Sequence, residues 1–265
     1  MLSFTALTPF ADPEITLHYC NSTRKRRTRI RKSGGQHKNQ AILDEQRLVT
    51  WASTPISSLL VVRGTLDTKD ETKDISTAVV DLLMTMEIPV LWVLNGKARP
   101  NGSVNSFVEV LKHLTWQALR LGVTTGPTIS ESFNAPLLQA IRTEAEWFNV
   151  LRILLSRFKI IYLVIDAEVL DMNGNSSTTK LLELYTYLQN FVAVCKPTVV
   201  KVLISSYRRW SKAQPATDPS TMVVACKRDR RSGLPFTQQR PSKKQRSFLV
   251  PMRESLRQQA SSSAL

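Results

Sequence analysis

The sequence predicts an α/β fold in three layers, a mainly parallel sheet covered on both faces by helices and flanked by basic, mobile ends. Two observations carry the sheet. Short continuous apolar runs alternate with longer segments whose apolar residues recur at helical spacing, and strands buried on both faces read as unbroken apolar runs. A third observation carries the ends. Residues 1–40 hold a charge of +6 and residues 208–265 hold +10, while residues 41–207 hold −1, which together give the net +15 of the 265-residue chain. The basicity therefore describes the ends and not the domain between them.

In chain order, SSLLVVR (57–63) is the first strand, and residues 71–86 follow as a helix with Ile75, Val79, Leu82, Leu83 and Met86 on one face. IPVLWVL (88–94) is a second strand, and a helix over 104–120 sets Phe107, Leu111 and Leu114 together. Residues 144–158 repeat the pattern with Trp147, Leu151, Leu154 and Leu155, and KIIYLVID (159–166) is the clearest strand. A helix over 178–194 carries Leu181, Leu184, Tyr185, Leu188 and Phe191 before the strand PTVVKVLISS (197–206). Met and aromatic residues on these helices are read as core. The N-terminal arm (1–40) closes in STRKRRTRIRKSGGQHKNQ and is expected to be mostly mobile, its first part able to dock as a helix. The tail (208–265) is rich in Pro, Ser, Gln and Arg, with TMVVACK (221–227) as one possible strand and the rest expected to remain disordered.

Several classes are disfavoured at this point. No apolar run approaches the roughly 18–20 residues of a membrane span, and the N-terminus lacks a secretory signal pattern. Cys20, Cys195 and Cys226 show no metal-ligand spacing, which suits reduced thiols in a cytoplasmic or nuclear protein. His18, His37 and His113 have no catalytic or metal constellation beside them and are read as surface or packing residues.

In parallel sheets ligands sit beyond the carboxyl ends of the strands. The first strand ends in Arg63-Gly64, where a P-loop would begin. That motif needs G-x-x-x-x-G-K-[ST], whose glycines let backbone amides wrap phosphates while the lysine neutralises charge and the hydroxyl holds Mg²⁺. Counted from Gly64, the second glycine is Lys69, the lysine is Asp70 and the hydroxyl is Glu71. A carboxylate about 4 Å from a phosphate oxygen repels it by roughly 4 kcal/mol at an effective dielectric near 20. The same residues read as a capping box, with Thr68 as N-cap and Glu71 reaching back, and acids in the first turn favoured by the helix dipole. The alternative is a rescued nucleotide site built from Gly64, Lys69, Thr72 and Lys73, with Mg-ATP or Mg-GTP as cofactor. The Gly-Lys pair in NGKARPNGS (95–103) lacks the earlier glycine and reads as a loop.

IIYLVIDAEVLD (160–171) fits a Walker B pattern, with Asp166 as a Mg²⁺ ligand or, alternatively, as a carboxylate ending a strand and capping the next turn. Glu168 and Asp171 are acids, but neither directly follows Asp166. Ser205 and Ser206 end the next strand, either sensing a γ-phosphate or forming a turn.

Together these stations resemble the fungal STAND-type, NACHT-like P-loop NTPases over residues 47–209. LVTWASTPISSLLVVRG is similar to the Trp-containing segment that opens such domains, and VLWVLNGKARPNGSVNSFVEVLKHLTWQAL to the loop and helix after the second strand. IDAEVLD shares Ile165-Asp166-Ala167 with the family's IDALDEC, but the acids fall at Val169 and Leu170. Tyr207 replaces the arginine after the hydroxyls, with Arg208 one place late. The resemblance implies a degenerate P-loop domain, a pseudo-NTPase acting as an interaction or scaffold module with a protein partner. It also implies a following repeat array that is not present here, as in a truncated paralogue. A weak nucleotide binder is the first alternative. The second is a nuclear or nucleic-acid-associated protein acting through Arg24, Lys25, Arg26 and Arg27 and through the bipartite-like clusters at Lys227-Arg228 and Lys243-Lys244. Binding of that kind would be electrostatic and salt-dependent.

Overall fold

A computed structural model of the chain describes residues 12–33, 41–42, 45–96, 106–123, 138, 140–170, 177–207, 221–228 and 249–262. Five strands form one parallel sheet: β2 (Ser58–Arg63), β3 (Val90–Val93), β4 (Ile160–Asp166), β5 (Val199–Ser206) and β6 (Thr221–Ala225), in the order β3-β4-β5-β2-β6. A two-residue strand β1 (Ala41–Ile42) pairs antiparallel with β7 (Lys227–Arg228). The helices are α1 (Pro13–Ser33), α2 (Glu45–Ser53), α3 (Lys69–Thr85), α4 (Phe107–Val123), α5 (Glu144–Leu155), α6 (Ser177–Val194) and α7 (Leu249–Ser262). The α/β alternation expected from the sequence is present, with each expected strand found to within about two residues.

Alternation along the strands builds two cores. Leu59, Val61, Leu91, Val93, Ile161, Leu163, Ile165, Val202 and Ile204 face α4, α5 and α6. Leu60, Val62, Val90, Trp92, Tyr162, Val164 and Leu203 face α1, α2, α3 and α7. The connection through α3 carries the chain from inner strand β2 to edge strand β3, and the later strands step back until β5, the central strand, lies beside β2. The carboxyl ends of β2, β4 and β5 thus lie side by side, with Asp166 opposite Ser205 and Arg63 opposite Ser206 in the ladder.

The edge strand is protected by a side chain. Gln117 on α4 accepts from the Trp92 amide at 3.0 Å and donates to the Trp92 carbonyl at 2.7 Å, the two bonds a neighbouring strand would make. At the other end of the sheet Trp51 of α2 is fully buried and donates from Nε1 to the Ser58 carbonyl at 3.3 Å. Beside it Lys201, in the middle of β5, is 0% exposed and donates from Nζ to Ser58 Oγ at 3.0 Å. Burial alone pushes its amine down to about 7.

Both ends contribute more than the sequence suggested. The first part of the arm docks as a helix through Leu17, as the sequence allowed, but the helix α1 continues through the basic run expected to be mobile and is tied to α3 by ion pairs. Arg24 meets Asp81 at 3.2 Å, and Arg27 bonds Asp74 and lies 3.6 Å from Asp70. In the tail, the possible strand at 221–227 is present as β6, the fifth strand of the sheet, whereas α7 buries Met252 and Leu256 against α2 and α3, so the expectation of disorder fails for that segment. Burial of each contributes about 2 kcal/mol, and Leu249 packs partly buried beside them. Met252→Ala and Leu256→Ala are each expected to lower the unfolding free energy by about 2–5 kcal/mol, read from urea denaturation. A loss below about 0.5 kcal/mol would mean that α7 is not part of the folded unit.

Candidate functional site

The turn after β2 closes on itself. The Gly64 amide donates to the Ser206 carbonyl at 2.7 Å, extending the β2–β5 ladder past the strands. Residues Leu66–Thr68 form one 3₁₀ turn, and Thr68 occupies the N-cap of α3, the position the sequence assigns it. Its hydroxyl, however, makes no cap to the helix. It accepts from the Thr65 amide at 2.8 Å and donates to the Cys226 carbonyl at 3.2 Å, so the Thr68–Glu71 capping box is replaced by a bond back into the turn and across to the β6 side. Acidic Asp70 and Glu71 do lie in the first turn of α3, where the dipole favours them.

The space over Gly64 is taken by a threonine. A Cβ built on Gly64 would lie 2.1 Å from Thr72 Oγ1 and 3.1 Å from Thr68 Oγ1. Thr72 in turn donates to the Thr68 carbonyl at 2.8 Å. Hydroxyls, rather than the carboxylates the sequence pointed to, fill this turn, and Asp70 turns away toward Arg27.

Across the strand ends a buried polar network continues. Ser76 of α3 donates to Ser205 at 2.8 Å. Ser206 donates to Glu168 Oε1 at 2.9 Å, and the Tyr207 amide donates to the same oxygen at 3.1 Å. Asp166 ends β4 and accepts from the Glu168 amide at 3.1 Å, capping the 3₁₀ turn Ala167–Val169. Its carboxyl is pushed up to about 6, first by burial; Lys73 and the amides of Glu168 and Asn95 oppose the rise. Lys69 and Lys73 hold their ammonium groups 5.1 and 5.9 Å from the ring centre of Tyr207. Behind them Cys20 of α1 has its thiol pushed up to about 11, mainly by burial and secondarily by Asp166.

Gly64, Thr72 and Ser206 therefore meet at one corner, with Lys69 and Lys73 beside them and Asp166 at the end of β4, next to β5. Among the described residues no group of three or more His, Cys, Asp or Glu side chains is arranged to hold a metal. The chain matches no family model, no curated protein and no solved structure. Glu168, the acceptor shared by Ser206 and Tyr207, is the network residue that sequence reasoning weighs only as an acid not directly following Asp166, and gives no role. Its signal is an acid two places after a strand-ending Asp, the spacing that lets a single 3₁₀ turn bring it back over the next strand. All three cysteines are free, His113 is buried in α4, and His18 is exposed. Of the basic clusters, Arg24 and Arg27 are paired, Lys25 and Arg26 are exposed, and the Lys227-Arg228 backbone forms β7. Lys243 and Lys244, like His37, lie outside the described residues. Among the described residues no helix is long and apolar enough to cross a membrane.

Proposed function

We propose that the chain carries a degenerate P-loop-like domain that serves as a protein-interaction or scaffold module, in a STAND-like signalling context, and does not turn over nucleotide. Its class is supported by the placement of the stations. A glycine turn joins inner strand β2 to α3, hydroxyls end the adjacent β5, and an acid ends β4 beyond it. The observation that carries the loss of chemistry is that the backbone amides and hydroxyls of the turn, which a phosphate would need, are engaged internally. The Gly64 amide, the Thr65 amide, the Thr72 hydroxyl and the Ser206 hydroxyl all donate to acceptors of the protein itself. A Mg²⁺–nucleotide held in P-loop fashion does not fit these residues, because it would have to break that set and would gain no lysine in the motif position. A buried carboxyl that protonates near 6 is also a poor anchor for a hard cation at mildly acidic pH.

The test is equilibrium titration of the full chain with fluorescent ATP and GTP analogues, with and without Mg²⁺. No saturable binding is expected at micromolar nucleotide. Micromolar, Mg²⁺-dependent binding that disappears in Asp166→Ala would overturn the proposal in favour of a working nucleotide site.

A further inference from the structure

The basic run of α1 is divided by the helix into two sides. Arg24 and Arg27 turn inward and neutralise Asp81, Asp74 and Asp70 on α3. Lys25, Arg26 and Arg29 are exposed, and none is paired with a described acid. At 100° per residue these three fall within 100° on one side of the helix, with Arg29 one turn beyond Lys25 and Arg26, so the like charges stand as neighbours. Such i, i+3 and i, i+4 pairs oppose helix formation unless an anion screens them. From this partition we infer that the outer side of α1 is a docking surface for the phosphate backbone of duplex nucleic acid, contacted without reading sequence.

Charge complementarity selects that occupant. Lys25 and Arg29 are separated by about 6 Å of helix rise, and a nucleic-acid strand presents a phosphate every 3.4 Å or so along its axis, so the row matches two to three consecutive phosphates. An anionic membrane fits less well. An interfacial helix needs a free apolar side, whereas Leu17 and Pro13 of α1 are buried in the protein. The exposed Ile15 and Tyr19 share the outer side of α1 but lie about 9–15 Å of helix rise before Lys25, and Ile30 alone among the described residues stands exposed within the basic row, so these three do not make a continuous apolar side. The surface is independent of the proposed loss of nucleotide chemistry, since it lies on the outside of α1 and the two experiments share no readout.

The experiment measures binding of the full chain to a labelled 20-base-pair DNA duplex between 50 and 200 mM salt. Three variants are compared: Lys25→Gln/Arg26→Gln/Arg29→Gln, the double Lys25→Gln/Arg29→Gln, and a charge-matched control. The control, Arg142→Gln/Arg157→Gln/Lys196→Gln, removes three exposed charges beside α5 and α6, across the sheet from α1. The α1 triple is expected to flatten the log–log salt slope by about 2.7, and the double by about 1.8, with the control unchanged. The wild type should then lose about 40-fold more affinity than the α1 triple over that salt range. An equal effect in the control would reduce the binding to net charge, and an unchanged slope in the α1 triple would place it in the tail. Either result overturns the inference. So would binding to phosphatidylserine-containing vesicles that needs the α1 residues while duplex binding does not.

Discussion

Lys201→Met is expected to stabilise the protein by several kcal/mol at pH 7–8. Lys201 is fully buried in the central strand with one neutral partner, Ser58 Oγ, and burial lowers its amine from 10.5 to about 7. The unfolded chain holds this proton up to about 10.5, whereas the folded chain releases it near 7. Between those values the unfolded state binds more protons, so stability rises with pH; below about 7 both states are protonated and the full penalty is present. At about 1.36 kcal/mol per pKa unit the penalty is roughly 5 kcal/mol. Methionine is close to lysine in shape and carries no charge; the Ser58 hydroxyl loses a donor, at a cost of about 1 kcal/mol. The measurement is urea unfolding of both proteins at pH 6, 8 and 9.5. The gap between variant and wild type should be widest at pH 6 and narrow steadily above pH 7. The difference is the proper quantity, because the raised thiols of Cys20, Cys195 and Cys226 lower the stability of both proteins above pH 9. A gap that is flat with pH, or a variant less stable at every pH, would mean that Lys201 is not buried as a neutral amine.

Lys201 also shows where reading the sequence stops. PTVVKVLISS identifies a strand because its apolar residues are local, but nothing in it says that the lysine points inward between β2 and β4. The same limit explains the ends. Seven basic residues in nine make α1 read as a solvated arm, and the acids that hold two of them are 47 to 57 residues away. The anchors of α7, Met252 and Leu256 with Leu249 beside them, are a few apolar side chains in a segment rich in Arg, Gln and Ser. In the site, the positions were legible: Gly64, Asp166 and the two serines stand at strand ends because strands end where apolar runs end. The partners were not. Thr68 reads locally as an N-cap hydroxyl, and a carbonyl 158 residues away draws that hydroxyl off the helix.

The filled turn can be tested without any ligand. Gly64→Ala is expected to destabilise the protein by about 1–3 kcal/mol, the usual cost of forcing a methyl into packed space. The conflict is with Thr72 Oγ1, 2.1 Å from the new carbon. Thr72→Ala alone should cost about 1 kcal/mol through its lost bond to the Thr68 carbonyl. In the double variant the penalty for Gly64→Ala should fall by at least about 1 kcal/mol, a coupling read from urea denaturation of all four proteins. Relief stays partial, because Thr72 Cβ and Thr68 Oγ1 also lie 3.1 Å from the added carbon. An open phosphate cradle makes the opposite demand. There the added methyl would meet no protein atom, the single variant would be nearly neutral in stability, and nucleotide affinity would be the property lost. Additive effects in the cycle, or a neutral Gly64→Ala, would therefore remove the physical basis for a closed seat. Strong coupling would tie this glycine to the packing of a threonine.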